Sequence, residues 1–388
     1  MMRLFAVLIA AVLGLAPVPP ARAFETTARA AFVMDVTTGT VLLNKNADTP
    51  MPPASMSKLM TLYVAFEAVK SGRLTIDEQL PVSQHAAAYK GSTMFLDPRD
   101  RVRVEDLLRG IIVLSGNDAC VVIAEALSPD GTEAGFARYM TQRAQQMGMT
   151  NSIFKNASGW PAEGHVMSMR DLALLARRII EDFPDFYRMF SETEFRFDGR
   201  APSNIYNRNP LLTLGIGADG LKTGHTQEAG FGLTGSAVQG DRRVIFVISG
   251  LESAEVRARE AEAIVNWAFR QFARKSVVKA GVELARAPVW MGEATTVGLT
   301  TVEDVNTLLP VLGNGELKAE VVYTGPIRAP VAKGDVVAEL VFAPDGLPET
   351  RVPLVAAEDV ANGGFIARLR TVSGLLLARL QNGPEGAL

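Results

Sequence analysis

The stretch PPASMSKLMT, residues 52–61, places a serine and a lysine three positions apart at the start of an apolar segment. Two prolines precede the pair, and apolar residues recur at helical spacing up to Gly72, which predicts an extended segment followed by a helix. Ser55 and Lys58 would then share one face of the first helical turn. A lysine there can deprotonate a serine if its own pKa is lowered, but a capping serine beside a solvated lysine is the commoner arrangement.

The neighbouring segments predict a mixed α and β domain. AFVMDVTTGTVLLNKN predicts a hairpin turning at Thr38-Gly39, and GFGLTGSAVQGDRRVIFVISGL predicts a second hairpin turning at residues 239–241. Two apolar helices should flank a break at residues 115–117, where Asn117 or Asp118 would cap the second helix. Further helices are predicted from about residue 133 to 146 and from residue 257 to about 272.

The pattern changes after Lys275. Short alternating runs such as SVVKAGVEL, APVWMGEA, DVVAELVFA and TRVPLVAA are separated by glycine and proline. This spacing favours a small all-β sandwich. We therefore expect a first domain at residues 24–274 and a second domain at residues 275–362, the second serving as a stalk.

Both ends of the chain indicate transport to a membrane. Residues 1–23, MMRLFAVLIAAVLGLAPVPPARA, have the charged start, short apolar centre and A-x-A end of a secretory signal peptide, although a retained anchor is the alternative. Residues 363–388 would form a helix with a broad leucine-rich stripe and arginines off its centre, typical of a helix lying in an anionic membrane surface. The alternative is a helix packed on its own domain.

Composition excludes several other functions. The net charge of −3 and pI of about 5.8 give no reason to expect nucleic acid as a partner. The three histidines are scattered and only one cysteine, Cys120, is present, so neither a zinc site nor an internal disulfide is expected. Cys120 lies in an apolar helical run and is expected to be a buried small residue.

Two further motifs change the interpretation of Ser55 and Lys58. LSGND supplies Ser115 and Asn117 at a break between helices, and GLKTGHT supplies residues 222–224 just before a predicted hairpin. S-x-x-K, a serine-x-asparagine motif and K-T-G in this order form the signature set of β-lactamases and penicillin-binding proteins. The set favours a nucleophile and its base in an acyl-transfer site.

With these motifs the chain resembles the low-molecular-mass penicillin-binding proteins, the D-alanyl-D-alanine carboxypeptidases. The resemblance covers nearly all of the mature chain and includes KGSTMFL, RGIIVLSGNDAC, DGLKTGHT and AREAEAIVNWAF. It implies an α+β fold: a serine β-lactamase/DD-peptidase-like domain with an antiparallel sheet flanked by helices and a helical subdomain, then a β-sandwich and an amphipathic helix. It also implies a periplasmic enzyme attached peripherally to the outer face of the inner membrane, with no cofactor or metal.

The resemblance implies a role for each matching residue. Ser55 would attack the carbonyl between two D-alanines of a peptidoglycan stem peptide, with Lys58 as general base. Ser115 would relay protons, and Asn117 would hold Lys58 and the substrate amide. Lys222 would set the electrostatics. β-Lactams would be covalent inhibitors.

The remaining implied residues bind the substrate. Thr223 would bind the terminal carboxylate, and Gly224 would let the substrate backbone approach closely. The backbone amides of Ser55 and His225 would form the oxyanion hole. Arg208, in YNRNPLL, resembles a family arginine near the carboxylate, and a surface arginine is the alternative.

Some features depart from the family pattern or are compatible with a different activity. Ser57 stands where threonine is commoner, and Ser158 stands where some members carry histidine, so efficient deacylation is in question. A β-lactamase would need an added glutamate base, and Glu163 lacks the usual following asparagine. The same fold could also serve an endopeptidase, or a non-enzymatic protein that only binds muropeptides. We read His165 as a residue that orders its loop.

Overall fold

The computed structural model describes residues 24–200, 203–311, 317–344 and 347–365. The predicted signal peptide at residues 1–23 and nearly all of the predicted C-terminal helix lie outside this part of the chain. Within the described residues the chain forms a mixed α and β domain, followed by a domain of strands alone.

The first domain contains all the helices described. They are α1 (Lys58–Lys70), α2 (Gln84–Ala87), α3 (Val104–Arg109), α4 (Asn117–Leu127), α5 (Glu133–Gln146), α6 (Met169–Asp182), α7 (Pro184–Tyr187) and α8 (Ala254–Arg270). Its strands are β1 (Ala30–Asp35), β2 (Val41–Lys45), β3 (Gln79–Pro81), β4 (Arg101–Arg103), β5 (Ala218–Thr226), β6 (Gly230–Gln239) and β7 (Arg242–Leu251). The first domain also contains two 3₁₀ turns, at Ala54–Ser57 and Arg188–Ser191, and one π-helical turn at Gly110–Leu114.

A five-stranded antiparallel sheet in the order β2-β1-β7-β6-β5 forms the centre of this domain. Both faces of the sheet are covered. On β7, Phe246 and Ile248 pack against α8, whereas Ile245 and Val247 pack against the helices on the opposite face. Side chains alternate between faces along a strand, so this continuous apolar run marks a strand buried on both sides.

The predicted hairpins and the predicted long helices are confirmed. β1 and β2 pair across a turn that contains Gly39 at φ +72°, and β6 and β7 pair across a turn at Gly240. α5 spans the predicted residues, and α8 ends at Arg270, two residues before the predicted end. The sequence did not predict α6, although that helix packs directly on β7 and β1.

The helix after Ser55 is buried on all sides. Leu59, Leu62, Val64 and Phe66 are each 0% exposed, and so is Lys58 at the first position of α1. A helix that is apolar all round belongs in the interior of a domain. α1 therefore fixes the Ser55 turn inside the protein rather than on its surface.

The break between the two apolar helices is present, but its capping differs from the prediction. Ser115 has a left-handed φ of +63°, and Gly116 occupies the N-cap position of α4 without a side-chain cap. The Asp118 carboxylate instead accepts hydrogen bonds from the backbone amides of Met94 and Leu96. The prediction that Asn117 or Asp118 caps α4 is therefore wrong, because both side chains hold a neighbouring loop.

The second domain is all-β, as predicted. Its strands are β8 (Phe272–Val278), β9 (Ala285–Trp290), β10 (Thr296–Thr300), β11 (Val305–Pro310), β12 (Ala319–Val322), β13 (Ile327–Arg328), β14 (Val336–Phe342) and β15 (Thr350–Ala356). Six strands form a sheet in the order β12-β14-β15-β10-β9-β13, and β11 and β8 form a separate ribbon. Arg274, after which the sequence predicted the boundary, lies inside β8.

The two domains share apolar packing where they meet. Phe272 and Leu308 of the second domain belong to the same buried cluster as Ile264 and Val265 of α8. Beside them the Arg242 guanidinium donates to the carbonyl oxygens of Phe272 at 2.7 Å and Ala268 at 3.1 Å. Arg242 also pairs with the buried Asp35 carboxylate at 2.9 Å.

Among the described residues, no helix is both long enough and apolar enough to cross a membrane.

Replacing Arg242 should destabilise the protein strongly, because Arg242→Ala leaves the Asp35 carboxylate buried without its cation. The expected loss in the free energy of unfolding is about 3–5 kcal/mol. Arg274→Ala is the matched control, since the Arg274–Asp241 pair is partly exposed and should contribute less than about 1 kcal/mol. Chemical denaturation of both variants measures the difference, and equal losses would contradict this account of the domain joint.

Candidate active site

Ser55 lies in the 3₁₀ turn that leads into α1, and its hydroxyl faces the lysine of the next turn. Lys58 Nζ donates to Ser55 Oγ at 2.9 Å. Ala54, just before the serine, has φ +49°, a conformation that non-glycine residues seldom adopt and that is found most often at functional sites. The turn thus presents the Ser55 hydroxyl directly to an amine.

The Lys58 ammonium is buried and has three hydrogen-bond acceptors. Besides Ser55 Oγ, it donates to Asn117 Oδ1 at 2.7 Å and to the carbonyl oxygen of Ser158 at 2.6 Å. None of the three acceptors is a carboxylate. Burial is the main cause that lowers the pKa of Lys58 to about 8; the positive charge of Arg208 acts in the same direction and the Asp118 carboxylate opposes it. A substantial fraction of neutral amine is therefore present near neutral pH, which a general base requires.

Asn117 is held rigidly at the start of α4. Its Nδ2 donates to the carbonyl oxygen of Lys90 at 2.6 Å, and its backbone amide donates to the carbonyl oxygen of Ser92 at 2.7 Å. These bonds orient the amide so that Oδ1 points at Lys58. The loop at residues 90–92 therefore forms part of the wall beside Ser55.

The Ser158 carbonyl is positioned by the loop at residues 156–160. Asn156 Oδ1 accepts hydrogen bonds from the amides of Ser158, Gly159 and Trp160 at 2.8–3.1 Å. Gly159 has φ +76°, and a Cβ there would lie 1.9 Å from the carbonyl oxygen of Ala54. Only glycine lets this loop pack so closely on the turn that carries Ser55.

Ser115 and Lys222 form a second pair across the cleft. Lys222 Nζ, on β5, donates to Ser115 Oγ at 3.1 Å, although 107 residues separate them in the sequence. Lys222 is also buried, and its pKa is held well below its ordinary value by burial and by the charges of Lys58 and Arg208. The left-handed backbone of Ser115 directs its side chain to this lysine rather than along the helix.

The K-T-G residues lie in β5, the strand directly before the predicted hairpin of β6 and β7. β5 is an edge strand of the sheet and runs beside the Ser55 turn. A Cβ on Gly224 would lie 3.0 Å from the carbonyl oxygen of Pro53 and 3.2 Å from Ala54 Cβ. Thr223 is nearly buried, whereas the exposed His225 ring stacks on Phe231 at 3.8 Å between centroids.

Two arginines add positive charge at the Lys222 end of the cleft. Arg208 donates to Ser92 Oγ at 2.8 Å and to the carbonyl oxygen of Leu114 at 3.0 Å, so it is tied to the cleft wall. Arg257 of α8, 8% exposed, lies over the Phe231 ring, and its charge contributes to the lowered pKa of Lys222. The sequence pattern does not single out Arg257, because it lies well beyond the K-T-G stretch in an ordinary amphipathic helix.

The other candidates from the sequence have structural surroundings. Cys120 is fully buried, and burial raises the pKa of its thiol to about 12, so the thiol remains protonated and unreactive. His165 Nε2 lies 2.7 Å from Ser57 Oγ, and Lys155 donates its backbone amide to Nδ1. Burial and the Lys58 charge lower the pKa of His165 to about 4, so it is neutral and links its loop to the Ser55 turn.

Hydrogen bonds join Ser55, Lys58 and Asn117 in one group and Ser115 and Lys222 in a second, and Thr223 and Gly224 follow Lys222 on β5. The described residues contain no group of three or more His, Cys, Asp or Glu side chains that could hold a metal ion. The arrangement supplies two serine hydroxyls, each hydrogen-bonded to a buried amine, and a positively charged region.

Comparison with protein families gives two matches. A family model described as D-alanyl-D-alanine carboxypeptidase matches residues 17–253. A second model, described as penicillin-binding protein 5, C-terminal domain, matches residues 272–362.

Individual relatives match over most of the chain. D-alanyl-D-alanine carboxypeptidase DacC of Escherichia coli is 37% identical over 351 residues, 88% of this chain and 86% of the relative. DacF of Bacillus subtilis is 32% identical over 357 residues, 89% of each chain.

Solved structures give the same picture. Penicillin binding protein 5 from Haemophilus influenzae matches with a TM-score of 0.75 at 33% identity, over 87% of this chain and 98% of that chain. Penicillin-Binding Protein D2 from Listeria monocytogenes, in its ampicillin-bound form, matches with a TM-score of 0.57 at 32% identity, over 63% of this chain and 98% of that chain.

Proposed function

The chain belongs to the D-alanyl-D-alanine carboxypeptidase family and is a serine-type carboxypeptidase, and we propose that Ser55 carries its reaction with Lys58 as the base. The substrate is a peptidoglycan stem peptide that ends in two D-alanines. The observation that carries this assignment is the 2.9 Å hydrogen bond between Ser55 Oγ and an amine whose pKa is lowered to about 8.

In the first step neutral Lys58 takes the Ser55 proton while Oγ bonds to the carbonyl carbon between the D-alanines. The backbone amides of Ser55 and His225 stabilise the oxygen that becomes negative. The C–N bond then breaks, and the leaving amine receives, through Ser115, the proton that Lys58 took from Ser55. In the second step water attacks the Ser55 ester; one of its protons returns to Ser55 Oγ as the C–O bond breaks, which releases the shortened peptide and restores the hydroxyl. The hydrogen bond between Ser115 and Lys222 supports a role for Ser115 in proton transfer.

Recognition of the terminal D-alanine relies on its carboxylate. Lys222, Arg208 and Arg257 place three positive charges at one end of the cleft, without a carboxylate among their hydrogen-bond partners in the described part of the chain. An anionic substrate end offsets this unfavourable concentration of charge. Thr223, next to Lys222 on the edge strand, would donate its hydroxyl to the same carboxylate.

β-Lactams bind this family, and we propose that they acylate Ser55 as the substrate does. Rapid hydrolysis of the resulting ester needs a further base. No carboxylate among the described residues lies within hydrogen-bonding distance of Ser55 Oγ or Lys58 Nζ. The site therefore favours a carboxypeptidase that β-lactams inhibit over a β-lactamase.

We propose that the enzyme works in the periplasm, peripherally attached to the outer face of the inner membrane by residues 363–388. Support comes from the signal-like residues 1–23 and the arginine-flanked leucine stripe near the C-terminus. The second domain would serve as the stalk between membrane and cleft, beginning at β8.

Ser55→Ala should abolish release of D-alanine from a stem pentapeptide, reducing kcat/KM by about 10⁴-fold or more, because it removes the hydroxyl that Lys58 contacts and that forms the ester. Ser191→Ala, which removes an exposed hydroxyl outside the cleft, should leave the rate unchanged. Free D-alanine is measured directly. Labelling of Ser55→Ala by fluorescent penicillin, or rapid turnover of benzylpenicillin by the wild type, would contradict the assignment.

Acylation by benzylpenicillin should depend on the neutral form of Lys58. Below about pH 8 that form decreases tenfold per pH unit, so the second-order rate constant should rise with pH at unit slope and level off above about pH 8. Stopped-flow measurements from about pH 6 to about pH 10 test this. Lys58→Arg, which stays protonated, should show no acylation at any pH. A flat profile would mean that Lys58 is not the base.

Truncation after Asn362 should release the protein from membranes. The full mature chain is expected to sediment with vesicles containing anionic phospholipid, whereas the truncated chain stays in solution because it lacks the arginine-flanked apolar stripe. Neutral vesicles should bind the full chain more weakly. Sedimentation of the truncated chain with anionic vesicles would place the membrane contact elsewhere.

A further inference from the structure

Trp160 is an exposed indole at the rim of the cleft. It is 41% exposed, whereas the four residues before it in its loop are buried. A large aromatic side chain kept partly in water beside a reactive serine is a common means of contacting a ligand.

The main chain of Trp160 is held by hydrogen bonds on both sides of the residue. Asn156 Oδ1 accepts from the Trp160 amide at 3.1 Å, and Asn156 Nδ2 donates to the Trp160 carbonyl oxygen at 2.8 Å. The ring itself meets Tyr89 edge-on, at 6.4 Å between centroids. The backbone bonds and the contact with Tyr89 hold the indole at this place beside the loop.

The indole also adjoins the residues around Lys58. A Cβ built on Gly91 would lie 2.7 Å from Trp160 Cζ3 and 3.0 Å from Asn117 Nδ2. The indole and the Asn117 amide thus flank the same glycine, while Ser158, two residues before Trp160, gives its carbonyl oxygen to Lys58. Trp160 therefore lies beside Asn117.

Lys222, Arg208 and Arg257 make part of the cleft positive, and that part would take the terminal carboxylate. Asn117 is the residue that the family resemblance assigns to the substrate amide. The acyl part of the peptide would therefore run past Asn117. Two extended residues span about 7 Å, so the residue before the two D-alanines comes level with the groups just beyond Asn117.

We propose that Trp160 is a specificity-determining residue that contacts the side chain of the residue preceding the two D-alanines. This inference rests on the proposed function. The flat indole favours a residue with a long aliphatic or aromatic side chain over glycine at that position of the substrate, because glycine has no side chain to cover the exposed ring. The same surface receives the acylamino side chain of a penicillin.

The test compares two peptides that differ only at that residue. For the wild type, kcat/KM should be higher for diacetyl-L-lysyl-D-alanyl-D-alanine than for acetylglycyl-D-alanyl-D-alanine. Trp160→Ala should reduce kcat/KM for the lysyl peptide about tenfold and change the value for the glycyl peptide less than about twofold. Trp160→Phe should recover most of the loss. Tyr323→Ala, which removes an aromatic ring 38% exposed in the second domain, is the matched control and should alter neither.

A second measurement uses penicillins and depends less on turnover. Trp160→Ala should slow acylation by benzylpenicillin about tenfold, but not acylation by 6-aminopenicillanic acid, which has the same ring system without the aromatic side chain. The alternative is that the ring only supports the Ser158 loop. In that case both Trp160→Ala and Trp160→Phe would slow acylation by the two compounds equally. No loss with either compound would show that the ring makes no substrate contact. Either result would overturn the proposal.

The outcome for Trp160 is distinguishable from that for Ser55. If Ser55 is not the nucleophile, Ser55→Ala retains D-alanine release and penicillin labelling, whatever Trp160 does. If only the proposal for Trp160 fails, both peptides remain substrates and the ratio of their kcat/KM values is unchanged by Trp160→Ala.

Discussion

The buried ammonium of Lys58 is the constraint around which the site is built. A cation in an apolar interior is tolerated only with full hydrogen bonding, and here its three acceptors come from three separate segments: the Ser55 turn, the start of α4 and the loop at residue 158. Each segment has its own support, from α1, from residues 90–92 and from Asn156. Because no carboxylate neutralises the ammonium, the surroundings favour loss of its proton. The same arrangement thus serves folding and reactivity.

Charge along the cleft follows from a second buried amine. Lys58 hydrogen-bonds to Ser55 and Lys222 to Ser115, and the positive charge of Lys58 helps to lower the pKa of Lys222. Arg208 and Arg257 increase this effect at the Lys222 end. The cleft therefore carries an excess of positive charge at one end, and an anionic substrate relieves it. Binding at that end also sets the direction in which the peptide lies.

Local patterns made part of this structure predictable. Ser55 and Lys58 are three residues apart, so helical periodicity alone brings them together, and the hairpin at Gly39 follows from its turn residue. Pairing between Ser115 and Lys222 depends instead on how a sheet edge meets a helix break, and only the family resemblance indicated it. The Ser158 carbonyl could not be predicted, because a backbone acceptor has no distinctive residue type. The prediction of Asp118 as a cap is wrong because its partners at Met94 and Leu96 are distant in sequence and come from a loop that only the fold brings close.

The joint between the domains has a consequence for how the protein can be divided. No flexible linker separates α8 from β8: one residue, Gln271, lies between them, and Arg242 binds carbonyl oxygens on both sides. Phe272 and Leu308 also complete an apolar cluster that belongs largely to the first domain. Cutting the chain at this point would expose that apolar surface and remove the Phe272 carbonyl oxygen from the acceptors of the Arg242 guanidinium. The β-rich domain is therefore a fixed extension of the peptidase body, and any tilt imposed on it is passed on to the cleft rather than absorbed by a hinge.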